Sequence, residues 1–333
     1  MLKYLCFYIS LLVSSGLWAQ DAIFTQFYAA PTLLNPAFTG STGGLRLGAG
    51  YRNQWLGISS NLNSVYVTAD NWFEGMRSGI GLQVIHQSEE LGEYSLSQFQ
   101  GSYAFHVQIT DEISLFPGIG FGYSISQINA GGLLFEDQID PRSGLIDPGS
   151  QDPVLTNLIQ GSQGYFDFSA GLVLYADNYW LGAGVKHLNK PNISYLEGEE
   201  LPLQPLITFQ GGYRKSWYKN QVYGADPTSF LFFTFNAYHQ EMYNRFDFGL
   251  EYGFSKLTFG ILASNTLEKI VESSDYFLSV NPNIGFKTKS LKIGLSYDVP
   301  VSALGNVGNT FEVTLQFFSP STYVRKRMWQ TKY

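Results

Sequence analysis

Cysteine is nearly missing from this 333-residue chain: Cys6 is the single one. It sits inside an apolar stretch that reads as a removable leader. Once that leader is gone, no disulfide, Cys-ligated zinc or thiol nucleophile is available. Charge is scarce as well. Asp, Glu, Lys and Arg make up 14% of the residues, where soluble domains run near ~25%. After residue 19 no apolar run approaches the roughly 20 residues that a membrane-spanning helix requires. The net charge of -7 argues against a nucleic-acid surface. No Gly-x-Ser-x-Gly element marks a hydrolase nucleophile, and the four histidines, His86, His106, His187 and His239, fall on separate segments without a metal-ligand pair. The sequence reads as non-enzymatic.

Aromatic residues (16%) and glycine (35 residues) are abundant instead, and mean hydropathy is close to neutral. Few charges, many aromatics and glycines, and no long apolar run together describe a transmembrane β-barrel. The first residues name the compartment. Lys3 precedes an apolar stretch from Tyr4 to Val13, then Ser14, Ser15 and Gly16, with Ala19 before Gln20. This is the layout of a secretory signal peptide, expected to span residues 1–19 and to be cleaved after Ala19. Export places the barrel in an outer membrane, with lipid around it.

From residue 44 onward, segments of about ten residues alternate with the two-residue period of a strand. In Gly44 to Tyr51, Leu45, Leu47, Ala49 and Tyr51 share one face, and Arg46, Gly48 and Gly50 the other. In Arg245 to Tyr252, Phe246, Phe248, Leu250 and Tyr252 alternate with Arg245, Asp247, Gly249 and Glu251. A soluble sandwich alternates in the same way. Here, however, the apolar faces are rich in Phe, Tyr and Leu, while charges of both signs share the other face, as in a polar lumen. Lipid cannot satisfy a free sheet edge, so the sheet must close. The expected fold is therefore all-β, an antiparallel barrel of about 14 strands. Strands start near residues 44, 62, 78, 93, 112, 163, 178, 205, 229, 241, 256, 276, 290 and 310. Short periplasmic turns alternate with longer outer loops, the longest at 127–162 and 189–204, and the turn from Lys219 to Thr228 is long for its side. Residues 20–43 form an N-terminal segment packing at or into the periplasmic end. Residues 44–318 are the barrel, and 319–333 a basic periplasmic tail carrying Arg325, Lys326, Arg327 and Lys332.

The series Gly118, Gly120 and Gly122 superficially resembles a nucleotide-binding loop, but no helix follows it. Its strict spacing puts all three on one strand face, where glycine lets other chain approach closely. Gly48, Gly50, Gly182, Gly184 and Gly294 repeat the theme. The inward charges Arg46, Arg52, Arg245, Asp247, Glu251, Lys292 and Glu312 either line a diffusion pore or pair with one another and fill the barrel. With residues 20–43 available as a plug, the expectation is a lumen without a continuous water path. Arg52 should find a carboxylate, and Trp55 should face the outer interface. Glu136, Asp137, Asp140, Asp147 and Asp152 invite a calcium reading, but their spacing is not that of an EF-hand loop. A solvated loop with Asp-Pro turns is the simpler reading. Leu133, Leu134, Phe135, Leu145 and Ile146 in the first long loop, and Tyr195, Leu196, Leu201 and Leu203 in the second, are candidate partner contacts.

One resemblance is more specific. F-T-Q-F-Y-A-A-P-T-L-L-N-P-A-F-T-G followed by Y-R-N-Q-W-L-G, within residues 24–57, resembles the start of the PorP/SprF family of Bacteroidota. The matching positions are Gln26, Asn35, Pro36, Ala37, Phe38, Gly40, Arg52, Gln54, Trp55 and Gly57. S-Y-A-F-H-V at 102–107 is similar to the family's Tyr-Ala-aromatic-His strand. The stretch 169–191, with His187, Leu188, Asn189 and Pro191, is similar to its central hairpin, and 295–315 to its closing one. The basic tail departs from the pattern. The resemblance implies a type IX secretion component that acts with one large surface adhesin, recognising its C-terminal sorting domain and holding it at the surface. Some members associate instead with the translocon or the periplasmic ring. Neither catalysis nor a cofactor is implied. A diffusion porin or hydrophobic-substrate channel is the alternative.

Overall fold

The structure is a computed structural model that describes residues 21–56, 61–89, 94–128, 138–139, 161–195, 198–217, 229–266, 278–301 and 308–319. The leader, Gly57, most of the 127–162 loop and the basic tail lie outside these residues.

Fourteen long strands form the wall: β1 (Arg46–Leu56), β2 (Leu62–Phe73), β3 (Ser78–Glu89), β4 (Tyr94–Phe105), β6 (Ser114–Ile128), β7 (Ser162–Tyr175), β8 (Tyr179–Lys186), β9 (Leu206–Trp217), β10 (Ser229–Gln240), β11 (Tyr243–Phe254), β12 (Leu257–Thr266), β13 (Leu278–Lys287), β14 (Leu291–Pro300) and β15 (Asn309–Phe318). The short β5 (Val107–Gln108) continues β4 along β6 after a break. At that break His106 N–H donates to Arg77 O at 2.9 Å, and the imidazole stacks on Phe116 at 4.7 Å. Every neighbouring pair of the fourteen is antiparallel, and β1 pairs with β15 from Arg46↔Phe318 to Arg52↔Glu312. The sheet therefore closes on itself. Each long strand begins within two residues of its expected start. The extra short strand is a departure, and a two-residue period cannot foresee it.

The period-two pattern sorts side chains inside out relative to a soluble domain. Leu82 (68% exposed), Ile119 (63%) and Phe248 (61%) face outward, while Glu312 and Asn236 are fully buried in the lumen. A sheet with this polarity is stable only when hydrocarbon covers its outside. The described residues include no helix long and apolar enough to cross a membrane; the strands do the crossing.

The barrel has two unlike rims. At the turn rim, where β1 starts and β15 ends, the described connections include 74–77, 176–178, 255–256 and 288–290. The longer spans 129–161 and 187–205 leave from the loop rim. Three connections depart from the rule: 218–228 is long at the turn rim, while at the loop rim 90–93 spans four residues and β10 and β11 are joined by Glu241 and Met242 alone.

Candidate functional site

Residues 21–43 form a strap that crosses the lumen. Each residue from Phe24 to Gly43 is buried. Three short 3-10 turns, Phe27–Ala29, Pro31–Leu33 and Pro36–Phe38, keep the strap compact. Pro31 and Pro36 occupy first-turn positions, where a missing N–H costs nothing and the fixed φ suits the turn. The strap reaches further than an end-plug. Asp21 lies beside Lys186 and His187, where β8 reaches the loop rim, and Gly40 lies beside Asp70 and Gly79 near the turn rim.

Apolar strap residues fill three islands in the otherwise polar lumen. Phe24, Ala30 and Leu33 meet Tyr66 and Ile85. Phe27, Tyr28 and Leu34 meet Leu206, Tyr238 and Leu262. Ala37 and Phe38 meet Trp72, Phe116, Val173, Tyr175 and Trp180. Burying each large apolar side chain contributes roughly 1.5–3 kcal/mol. Among the wall side chains Gln83, Gln98, Ser124, Asp167 and Lys186, a void amounts to about 10 Å³. That is at the lower limit of roughly 10–15 Å³ needed for one water.

Four polar anchors hold the strap. In the first, the fully buried Glu312 carboxylate accepts the backbone N–H groups of Thr25 and Gln26, each at 2.8 Å, and Arg52 Nη1 at 3.1 Å. Arg52 also pairs with Asp298 at 3.0 Å and donates to the Thr25 hydroxyl, and Gln54 Oε1 accepts from Arg52 Nε at 3.3 Å. The Gln26 amide oxygen accepts from Thr314 at 2.9 Å, over Gly294, where any Cβ would strike it. Arg52 faces the lumen as expected. Trp55 is half-buried with φ 67° at a register shift in β1, so simple alternation does not fix its direction.

Asn35 makes the second anchor. Its Oδ1 accepts from Ala37 N–H at 2.9 Å, capping the third 3-10 turn. Its Nδ2 donates to Ala183 O at 3.0 Å and Gln210 Oε1 at 3.4 Å. The strap sits against bare wall here: a Cβ on Gly182 or Gly184 would lie 3.3 or 3.2 Å from the Asn35 side chain, and one on Gly118 would lie 2.5 Å from the Ala37 Cα. The inward glycines are the space into which Asn35, Pro36 and Ala37 fit.

Near the turn rim, Gly40 N–H donates to Asp70 at 2.8 Å, and Arg46 Nε donates to the other Asp70 oxygen at 2.7 Å. Gly40 has φ +72° and touches Gly79 backbone to backbone, a conformation and an approach that suit glycine.

The fourth anchor is an ionic knot near the loop rim. Asp21 Oδ2 meets His187 Nε2 at 2.9 Å and Lys186 Nζ at 3.0 Å, and His187 Nδ1 meets Asp167 at 3.0 Å. Burial pulls the His187 pKa down, but the Asp21 charge and the hydrogen bonds to Asp167 and Asp21 outweigh it and hold the value at about 9. Burial pushes Asp21 up, yet the charges of Lys186 and His187 win and hold it well below the usual carboxylate range. Just beyond, Asn189 exchanges hydrogen bonds with Phe166 O (2.8 Å) and Phe168 N–H (3.1 Å). It thereby serves the edge of β7 that β8 leaves open. Buried Pro191 accepts from Leu203 N–H at 2.9 Å.

The other inward charges also pair: Arg245 with Asp247 at 2.7 Å, and Lys292 with Glu251 at 3.9 Å. Of the candidate contacts, Leu201 is exposed, Tyr195 half-buried and Leu203 buried. Leu203 therefore turns inward, away from any partner. Leu133, Leu134, Phe135, Leu145, Ile146 and Leu196 lie outside the described residues, as do the five loop carboxylates. No cluster of three or more metal-ligating side chains occurs among the described residues. His86 and His239 are exposed, while His106 and His187 are buried. Sequence reading put Asp298 on the inward face of its strand but missed Asp21, Asp70 and Lys186. Inward parity on β2 and β8 marks the last two, while Asp21 carries no local signal.

A closed antiparallel barrel with an apolar exterior and a polar, strap-filled interior is a transmembrane β-barrel of the outer-membrane type. Residues 17–317 match the family described as Type IX secretion system membrane protein PorP/SprF, and the chain belongs to that family. No curated protein matches. Similar solved structures include the outer membrane protein Omp33 of Acinetobacter baumannii, at 8% identity and TM-score 0.43, covering 83% of this chain and 98% of that one. Another is the toluene transporter TodX of Pseudomonas putida, at 10% identity and TM-score 0.46, covering 90% of this chain and 95% of that one.

Proposed function

We propose that this protein is a non-enzymatic outer-membrane component of type IX secretion that binds one cargo, the C-terminal sorting domain of a large surface adhesin. In this role it aids the cargo's secretion and its anchoring at the surface. Membership of a secretion-system membrane family supports the secretion role. The observation that carries the choice over a diffusion porin is the buried strap from Phe24 to Gly43. A barrel whose lumen is filled by its own chain acts through its rims and outer wall.

Barrels of this type keep short turns in the periplasm and long loops outside, so the turn rim is periplasmic and the loop rim faces out. Cargo arriving on the outer side meets the loops at 127–162 and 189–204. Loops this long in a compact fold are usually functional, and exposed Leu201 offers an apolar contact there. The translocon or periplasmic ring components would approach from the turn rim. Replacing 127–162 with a short Gly-Ser turn is expected to leave the barrel folded and to release the cargo into the medium. Cargo still retained on the cell surface in that strain would overturn the loop assignment.

A further inference from the structure

The barrel wall is notched at its loop rim, above the short strand β8. β7 is 14 residues long and β8 only 8. Their pairing runs from Ala170↔Val185 to Tyr175↔Trp180, so residues 162–169 of β7 rise past the end of that ladder. β9 does not fill the gap, because its first residue, Leu206, already pairs with Lys186 at the end of β8. The chain leaves the wall at His187, which has φ 58° and is pinned by Asp21 of the strap and by Asp167. A turn closed by Lys190 N–H on His187 O follows. Beyond it Pro191 is buried, and the Gln163 side chain donates to Asn192 O at 3.2 Å.

Backbone parity identifies the groups that line the notch. Ala176 N–H donates to Tyr179 O, and Phe168 O accepts from Leu188 N–H. Even-numbered residues of β7 therefore aim their backbone groups at the β8 side, and odd ones at β6. Asn189 fills the first vacant place. Its side-chain amide bonds Phe168 N–H at 3.1 Å and Phe166 O at 2.8 Å, as a passing peptide group would. Above it, Phe166 N–H and both backbone groups of Gly164 and Ser162 have no hydrogen-bond partner among the described residues. All three residues are exposed. From Tyr175 at the turn rim up to Phe166, a rise of about 3.3 Å per residue and a tilt of about 40° give roughly 23 Å of height, close to the apolar band of about 25 Å. The free edge thus stands at the outer interface, where water meets it; hydrocarbon would not tolerate it.

Free donors and acceptors recur along this edge every two residues, about 6.8 Å apart. Such a row is complementary to another extended backbone, which offers the same groups at the same spacing. Aromatic rings flank it on the outer face: Phe166 lies 5.5 Å from Phe121 and 5.0 Å from Tyr123, and side chains of an added strand can cover them.

We propose that the notch is a strand-addition site, in which an extended segment of the exported cargo pairs with Ser162, Gly164 and Phe166 in the place that β8 vacates. The strap keeps that place vacant by holding His187 where the chain turns away. The identity of the partner rests on the secretion reading.

Phe166→Pro tests the pairing. Proline there deletes a free N–H, breaks no ladder bond to β6, and sets its ring against the edge. The expected result is loss of the cargo from the cell surface to the level of the deletion strain, with a heat-modifiable gel band showing that the barrel is folded. Phe166→Ala keeps the N–H and removes only the ring. Its surface cargo should fall no more than about twofold, because main-chain hydrogen bonds carry the affinity of an added strand. Hydrogen exchange of the full-length wild-type barrel gives a second readout. Peptides covering 162–166 should gain protection when the purified sorting domain of the protein lost in the deletion strain is added. Cargo retained by a folded Phe166→Pro barrel, or no protection of 162–166, would overturn the site and leave the secretion role standing. A deletion strain that loses no surface protein would overturn both. Equal losses in the two variants would assign the contact to the aromatic rings, and a wild-type dimer that Phe166→Pro splits would assign the edge to a second copy; either result overturns the proposal.

Discussion

Arg52 and Glu312 are register partners across the β1–β15 seam that closes the barrel, and their side chains meet at 3.1 Å inside the lumen. The same carboxylate accepts two successive amides of the strap, Thr25 and Gln26. Closure of the sheet and seating of the strap therefore depend on one buried group. Glu312→Ala is expected to cost about 3–5 kcal/mol, because it leaves a guanidinium buried with one remaining carboxylate partner. Denaturant unfolding of the refolded barrel measures this. Because Arg52 also pairs with Asp298, the triple variant Arg52→Met, Asp298→Asn and Glu312→Leu should recover the ion-pair part and retain a deficit of about 2–6 kcal/mol for the two unpaired strap amides. A triple variant no more stable than Glu312→Ala would contradict the assignment.

The strap should also decide conductance. Wild type is expected to be electrically silent in planar bilayers. A Cβ on Gly118 would collide with Ala37 backbone, which cannot move without displacing the third 3-10 turn. Gly118→Val should therefore loosen the strap and produce steady openings, and removal of residues 21–43 should produce more. Wild-type currents as large as those of the variants would show that the strap does not seal the lumen.

Between neutral and alkaline pH the titrating part of the ionic knot is His187. Its folded pKa of about 9 lies above the unfolded value of about 6.5. The stabilisation it contributes is fully present below about pH 6.5 and is lost as pH rises through about 9. Asp21 is held low, so its own contribution disappears only in strong acid. The thermal midpoint of the wild type should fall across this alkaline window, while His187→Gln starts lower and varies less. Parallel pH profiles for the two proteins would contradict the role given to His187.

Much of this was legible in the sequence because a barrel obeys one strong rule. The two-residue period fixed which face of each strand points inward, so the lumen positions of Arg46, Arg52, Glu251, Lys292 and Glu312 follow from parity. Closure adds that the first strand meets the last, but the register that sets Arg52 opposite Glu312 comes from the structure alone. The glycines at 118, 182 and 184 announced close approach, though not by what. Parity fails where the chain leaves the sheet. Trp55 sits at a register shift with positive φ, and Leu203 folds inward with the loop. Asp21 joins His187 across 166 residues through tertiary packing alone, and no periodicity encodes that meeting.

The central claim is that a barrel sealed by its own N-terminal strap serves the delivery of one surface protein. Comparing the surface-exposed proteins of a deletion strain with those of the same strain carrying the wild-type gene tests this most directly. The account predicts that one large surface protein with a C-terminal sorting domain disappears from the deletion strain and returns on complementation. An unchanged set of surface proteins, together with slower uptake of a small solute, would contradict it and identify the barrel as a channel.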